Sequence, residues 1–249
     1  MRNLLLTIRF VGTSYCGFQV QKNGISVAQR LQDAIEAVFG ERLPIKGCSR
    51  TDAMVHANMF CVSFKTEKGI ACCRIVPALN AHLPNDIAVY GCKEVAKGFH
   101  ARYSCTGKEY LYKIDNGAAR NPFLQERAYY YKHRLDEQAM DAAAQGFIGT
   151  YDFSALCSAG SSVKDKVRTV YACSVTREGD LVTISISGDG FLYNMVRIVA
   201  GTLLWAGEKG LTAQDIKEII LSGDRSKAGP TAPPYGLYLN RVFYDGIEG

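Results

Sequence analysis

Apolar positions along the chain follow two periods. Leu4 to Phe10 is a short apolar run suited to a strand. GTSYCGFQVQKNG (12–24) is rich in glycine, polar and aromatic residues and reads as a loop. Helical spacing then takes over. Val27, Leu31, Ile35, Val38 and Phe39 share one face, Ser26 with Gln29 three residues on has capping-box spacing, and Gly40 ends the helix. Residues 58–64 are strand-like, 72–81 form a second helix stopped by Pro84, and IAVYGC (87–92) returns as a strand.

The second half varies this plan. EYLYKI (109–114) has the alternation of a strand, and DEQAMDAAAQGFIG (136–149) has helical period. TVYACSV (169–175) and DLVTISIS (180–187) make a hairpin across REGD, with Val182, Ile184 and Ile186 pointing inward. GFLYNMVRIVAGTLLWAG is a long, mostly buried helix. Thr212 and Asp215 open a shorter one that ends near Gly223, and GLYLNRVFY (236–244) closes as a strand. Strands mixed with helices and hairpins predict an α+β fold. Two subdomains sharing a continuous antiparallel sheet is the natural packing, with 1–105 and 106–249 as the halves.

Composition narrows the picture only a little. The chain has 249 residues, 47% of them hydrophobic and 21% charged, the balance of a globular protein with a sizeable core. A net charge of +5 permits a polyanionic partner without requiring one. Nine cysteines with no CxxC pair fit neither a disulfide framework nor a zinc site, so reduced thiols in a cytoplasm are expected. The N-terminal MRNLLLTIRF reads as a strand rather than a signal peptide, and no apolar run reaches the length of a membrane span. The histidines His56, His82, His100 and His133 are far apart, and no metal motif joins them.

Candidate chemistry begins at GCSRTDAMVHA (47–57). Arg50 next but one to Asp52 can be an ordinary ion pair in a turn. Alternatively, an Arg close by keeps a partly buried carboxylate ionised, ready to act as base or nucleophile without a metal. FHARYSCTGKEYLYKI (99–114) interleaves Phe99, Tyr103, Tyr110 and Tyr112 with His100, Arg102, Lys108 and Lys113. That mixture suits unstacked bases and phosphates, but a half-buried strand would look the same. Arg197, within an apolar helix, must either reach water or pair with an acid, and Asp52 is a candidate. Arg225 and Lys227 near the end, and YYYKHR (129–134), are open to either a solvated or a phosphate-binding reading.

Six collinear segments resemble the tRNA pseudouridine synthases of the TruA type. They are GTSYCGFQVQ with the helix VAQRLQDAI, SRTDAMVHA, LNAHLPNDIAV, FHARYSCTGKEYLY, FLYNMVRIVAGTL and GLYL. The resemblance implies the pseudouridine synthase fold, two RRM-like (ferredoxin-like) halves around a central antiparallel sheet, working as a homodimer on tRNA. It implies isomerisation of uridine to pseudouridine at positions 38, 39 and 40 of the anticodon stem-loop by base flipping, with no cofactor and no metal. DNA and membranes are not expected partners. By position it gives Asp52 the role of nucleophile, Arg50 that of holding the flipped base, Tyr110 that of stacking on it, and Arg197 that of pairing with the catalytic Asp.

Two positions depart from the family's RTDAGVHA pattern. Ser49 and Met54 stand where glycines are common. Glycine in a loop usually supplies positive φ or close backbone approach, so either this turn tolerates negative φ at Met54 or the loop has shifted. The rival readings are a non-catalytic RNA-binding paralogue, a synthase acting on another RNA, and a cysteine or metal enzyme using Cys48.

Overall fold

The computed structural model describes residues 1–22, 24–161 and 163–246. In chain order the elements are β1 (Arg2–Phe10), α1 (Val27–Phe39), β2 (Lys46–Gly47), β3 (His56–Thr66), α2 (Cys72–Asn80), β4 (Ile87–Val95) and β5 (Cys105–Asp115). They continue as β6 (Tyr129–Tyr130), α3 (Glu137–Ala144), β7 (Gly149–Asp152), β8 (Val167–Glu178) and β9 (Leu181–Gly188). The last are α4 (Met195–Lys209), α5 (Ala213–Ser222) and β10 (Leu237–Tyr244). The chain divides into two compact units, Met1–Thr106 together with the stretch from Tyr238, and Gly107–Leu237. Both are mixed α+β, built on mostly antiparallel strands.

In the first unit, β1 pairs antiparallel with β4 on one side and β3 on the other, and β3 pairs antiparallel with β2. The order β4-β1-β3-β2, with α1 after β1 and α2 after β3, is that of a ferredoxin-like half whose second strand has shrunk to two residues. Leu4, Leu5 and Leu6 are all buried, and successive strand residues face opposite ways, so both faces of β1 are covered. Two residues of β10 continue the edge of β3 in parallel, Tyr238 opposite His56 and Leu239 opposite Ala57. The closing strand thus belongs with the first unit, whereas the sequence division at 105/106 assigned it to the second half. Parallel pairing to a strand about 180 residues away leaves no local signal.

The helix ends follow the sequence. The Ser26 hydroxyl accepts the Gln29 N–H, and Gly40 closes α1 in the left-handed region at φ 75°. In the second unit, β8 and β9 form the expected hairpin around Gly179–Asp180, and Val182, Ile184 and Ile186 are buried. β9 also pairs with β5, and β8 with β7. Thr212 and Asp215 make the full reciprocal capping box of α5.

Two helices differ from their expected extents. α3 stops at Ala144, short of residue 149, and a single 3₁₀ turn follows over Gln145–Phe147, where Gly146 lies so close to the Ala213 carbonyl that a Cβ would come within 2.4 Å. α4 starts at Met195 rather than near Phe191. Asn194 before it is left-handed (φ 60°), a conformation that breaks the helix and that Asn adopts more readily than most residues.

Candidate active site

The loop carrying Arg50 and Asp52 lies between β2 and β3. Its centre is a tight turn in which Val55 N–H donates to the Asp52 carbonyl at 3.3 Å. Met54 occupies its third position at φ 66°, while Ala53 is outside the left-handed region. That is the φ pattern of a type II turn, which normally requires glycine there. The turn therefore has the glycine conformation with a methionine in it, so the expectation of negative φ at Met54 does not hold. Ser49 lies outside the left-handed region and needs no glycine. Left-handed geometry costs a non-glycine residue about 1–2 kcal/mol, partly offset by glycine's greater freedom in the unfolded chain. Met54→Gly should therefore raise unfolding stability by about 0.5–1 kcal/mol, read as a higher urea midpoint with unchanged slope. A lower midpoint would mean that the Met54 side chain contributes more than its backbone costs.

The first loop, 12–18, clamps this turn. Met54 N–H donates to the Tyr15 carbonyl and Phe18 N–H to the Thr51 carbonyl, both at 3.3 Å. Gly17, at φ 105°, lies so close that a Cβ would come within 2.4 Å of the Thr51 carbonyl oxygen. A Cβ on Gly12 would fall 2.0 Å from the Val55 carbonyl oxygen. Gly12 N–H also donates to Nδ1 of the buried His56 at 3.0 Å, and the His56 ring stacks on Tyr238. Tyr15 reaches across to Asp86, its hydroxyl donating to the carboxylate at 2.6 Å, and Val11 N–H donates to the Asp86 carbonyl. Burial, with help from Asp86, holds the Tyr15 phenol well above its usual pKa. Three of the family-like segments, GTSYCGFQ, SRTDAMVHA and LPNDIAV, thus meet at one place. Loop 12–18, braced by Asp86, fixes the main chain on both sides of Asp52, while Asp52 itself stays half-buried and Arg50 exposed.

Cys48 is fully buried, and its Sγ accepts the Cys61 N–H at 3.3 Å while its own N–H donates to the Cys61 carbonyl. It is a packing residue of the β2–β3 pair, which leaves the cysteine-enzyme reading without support. Among the described residues, no group of three or more His, Cys, Asp or Glu side chains is arranged to hold a metal ion. Nor is any helix among them long and apolar enough to cross a membrane.

Tyr110 and Arg197 belong to the second unit. Tyr110 and Tyr112 share one face of β5, as their spacing predicts, but both are buried. The Tyr110 ring meets Phe191 edge-on at 5.2 Å. Tyr112 is a structural residue whose hydroxyl donates to the Pro233 carbonyl at 2.8 Å. Arg197, in the first turn of α4, grips the same segment, with Nε donating to the Ala232 carbonyl at 2.7 Å and Ala232 N–H donating back to the Arg197 carbonyl. A second guanidinium nitrogen donates to Asn194 Oδ1 at 2.9 Å. Close backbone contact between Gly201 and Pro230, and a bond from Gly229 N–H to the Thr202 hydroxyl, seat 229–233 on the helix. The proline-rich approach to the last strand therefore sets both β5 and the Arg197 side chain.

Arg225 donates to Ala228 and Thr231 and so braces that segment, and the Tyr131 hydroxyl donates to Glu208. Sequence reasoning missed Gly12, Gly17 and Asn194. The glycine-rich loop was visible, but the backbone it presses against was not.

A family model described as tRNA pseudouridine synthase matches residues 6–104 and 143–245. Arg50, Asp52 and Arg197 lie inside the matched segments, and Tyr110 lies between them. Over 244 residues the chain is 46% identical to tRNA pseudouridine synthase A of Acetivibrio thermocellus, covering 98% of this chain and 100% of that one. With the same coverage it is 45% identical to the protein of that name from Caldicellulosiruptor saccharolyticus. It is 44% identical to tRNA pseudouridine synthase A 2 of Clostridium perfringens, again with the same coverage. The chain belongs to the tRNA pseudouridine synthase family, and it is an isomerase.

Proposed function

We propose that this enzyme converts uridine to pseudouridine at positions 38, 39 and 40 of the tRNA anticodon stem-loop, with Asp52 as the nucleophile. The observation that carries the reading is the clamped Asp52 turn. Loop 12–18, itself braced by Asp86, holds the main chain on both sides of a carboxylate that is not itself buried. A carboxylate positioned in this way is pre-organised for attack, because the entropy of fixing it is lost on folding and not in the reaction.

The reaction is balanced without a redox partner. The N1–C1′ bond of uridine breaks, a C5–C1′ bond forms, C5 loses a proton and N1 gains one. Before that, the nucleotide must leave its stack, at a cost of a few kcal/mol that stacking on an aromatic ring offsets. The resemblance gives that ring to Tyr110, the holding of the vacated base to Arg50 and the pairing of the catalytic carboxylate to Arg197. Tyr110 is also a candidate carrier for the C5 proton. The same resemblance supports a homodimer, and the cysteine usage supports a cytoplasmic setting.

The test is to incubate the full chain with unmodified tRNA and map pseudouridine by carbodiimide primer extension. Stops at positions 38–40 are expected. Product confined to other positions would move the enzyme to another target, and tight binding without product would favour the non-catalytic paralogue.

A further inference from the structure

The first unit holds a cleft of about 440 Å³ whose residues the proposed reaction uses only at one corner. Its lining includes Lys46, Arg50, His100, Arg102 and Tyr103, with no carboxylate among the lining residues. Phe18 and Ala28 supply apolar wall, Gln19 and Gln32 amides.

The rim at 100–104 is built to stay in place. His100 Nδ1 accepts the backbone N–H groups of Arg102 and Tyr103, at 3.1 and 3.4 Å. The Ser104 hydroxyl accepts the His100 N–H, and Ser104 N–H donates to the His100 carbonyl. Ala101 is anchored from below, its N–H on the Ser63 hydroxyl and its carbonyl on the Tyr244 hydroxyl. On this fixed turn the Tyr103 ring lies over His100 at 4.4 Å, with the Arg102 guanidinium 5.9 Å from its centre. Yet Tyr103 is 78% exposed. A water-facing aromatic ring on a hydrogen-bonded turn, with cations lining the same cleft, has the features by which proteins hold unstacked nucleotides: a ring for the base and cations for its phosphates.

We propose that this cleft is a second nucleotide subsite. It takes a nucleotide of the substrate RNA flanking the target uridine, its base on Tyr103 and its phosphates against Lys46 and Arg102. The neighbourhood supports flanking rather than remote contact. Arg50 lines the cleft and Asp52 follows two residues later, at most about 7 Å of chain away, comparable with the reach of one nucleotide. The inference rests on the proposed function for its substrate, and it accounts for the half of FHARYSCTGKEYLYKI that β5 does not absorb.

The experiment measures Kd for unmodified tRNA by filter binding across a series of salt concentrations, alongside pseudouridine formation by the unaltered enzyme. Tyr103→Ala is expected to weaken binding about tenfold, at the lower end of what one stacked base contributes, and Tyr103→Phe to restore it within about twofold. Lys46→Gln with Arg102→Gln should reduce the slope of log K against log salt by about 1.4, two contacts at about 0.7 each. Lys65→Gln with Lys68→Gln removes the same charge from exposed positions of the same unit and should change the slope by less than about 0.3. A Tyr103→Ala loss below about threefold, failure of Phe to rescue, or equal slope changes in the two double variants would each overturn the subsite. Those outcomes concern the cleft alone. Absence of pseudouridine from every tRNA tried would instead overturn the proposed function, and the binding data would still report on the cleft.

Discussion

Asp52→Asn should abolish pseudouridine formation, with a loss of about 10⁴-fold or more, while the protein stays folded and still binds tRNA. Asparagine has the shape of aspartate, and the bond that closes the turn runs from Val55 N–H to a main-chain carbonyl, which the substitution leaves in place. What disappears is the anionic oxygen, and an amide cannot replace it as a nucleophile. Losses of 10⁴ to 10⁶ are usual when a group acting directly on the reacting centre is removed. Proton release from C5 is a second readout, since tritium placed there reaches water only if the bond exchange occurs. An Asn variant keeping more than about a tenth of normal turnover would exclude Asp52 as the nucleophile. Loss of tRNA binding with unchanged unfolding behaviour would show that the carboxylate serves recognition instead.

Gly12→Ala should cost about 3 kcal/mol of stability or more, and catalysis should decline with it. The added Cβ would sit 2.0 Å from the Val55 carbonyl oxygen, and the atom in the way is main chain, which no rotamer change can move. Val55 is also the residue whose N–H closes the Asp52 turn, so the strain is delivered to the loop that holds the carboxylate. Gly69→Ala provides the contrast, because nothing lies within 4 Å of its added Cβ and its φ is not left-handed. That change should fall within about 0.5 kcal/mol of no effect. Urea unfolding of both proteins makes the comparison. Equal midpoints would mean that the two loops separate easily and that their close contact does not hold the turn.

Local chemistry made much of the molecule legible in advance. Caps and turns announced themselves, as Ser26, Gly40, Thr212 and the Gly179–Asp180 hairpin show, since each depends on residues a few positions apart. Collinear segments singled out Asp52 for the proposed role among 24 acidic residues, where Arg-x-Asp spacing could not. The failures share one cause. Gly12 matters because of Val55, Gly17 because of Thr51, and β10 leaves the second half because of β3. Each depends on a partner dozens of residues or more away, which no periodicity records. Met54 is an intermediate case. The missing glycine was visible, but whether the backbone had yielded to the methionine could be decided only by its φ of 66°.

The pairing of Tyr238 with His56 has a bearing on how the protein is made. Residues 107–237, the entire second unit, are translated between β4 and the strand that completes the edge of β3. At about 5–20 residues per second, a ribosome takes on the order of ten seconds to add that stretch. Throughout that interval the start of β3, immediately after the Asp52 turn, lacks its β10 partner and His56 lacks the ring it stacks on. An unsatisfied strand edge is where nascent chains adhere to one another. The first unit is therefore completed only late in synthesis, and until then an unpaired strand edge lies directly beside the Asp52 turn.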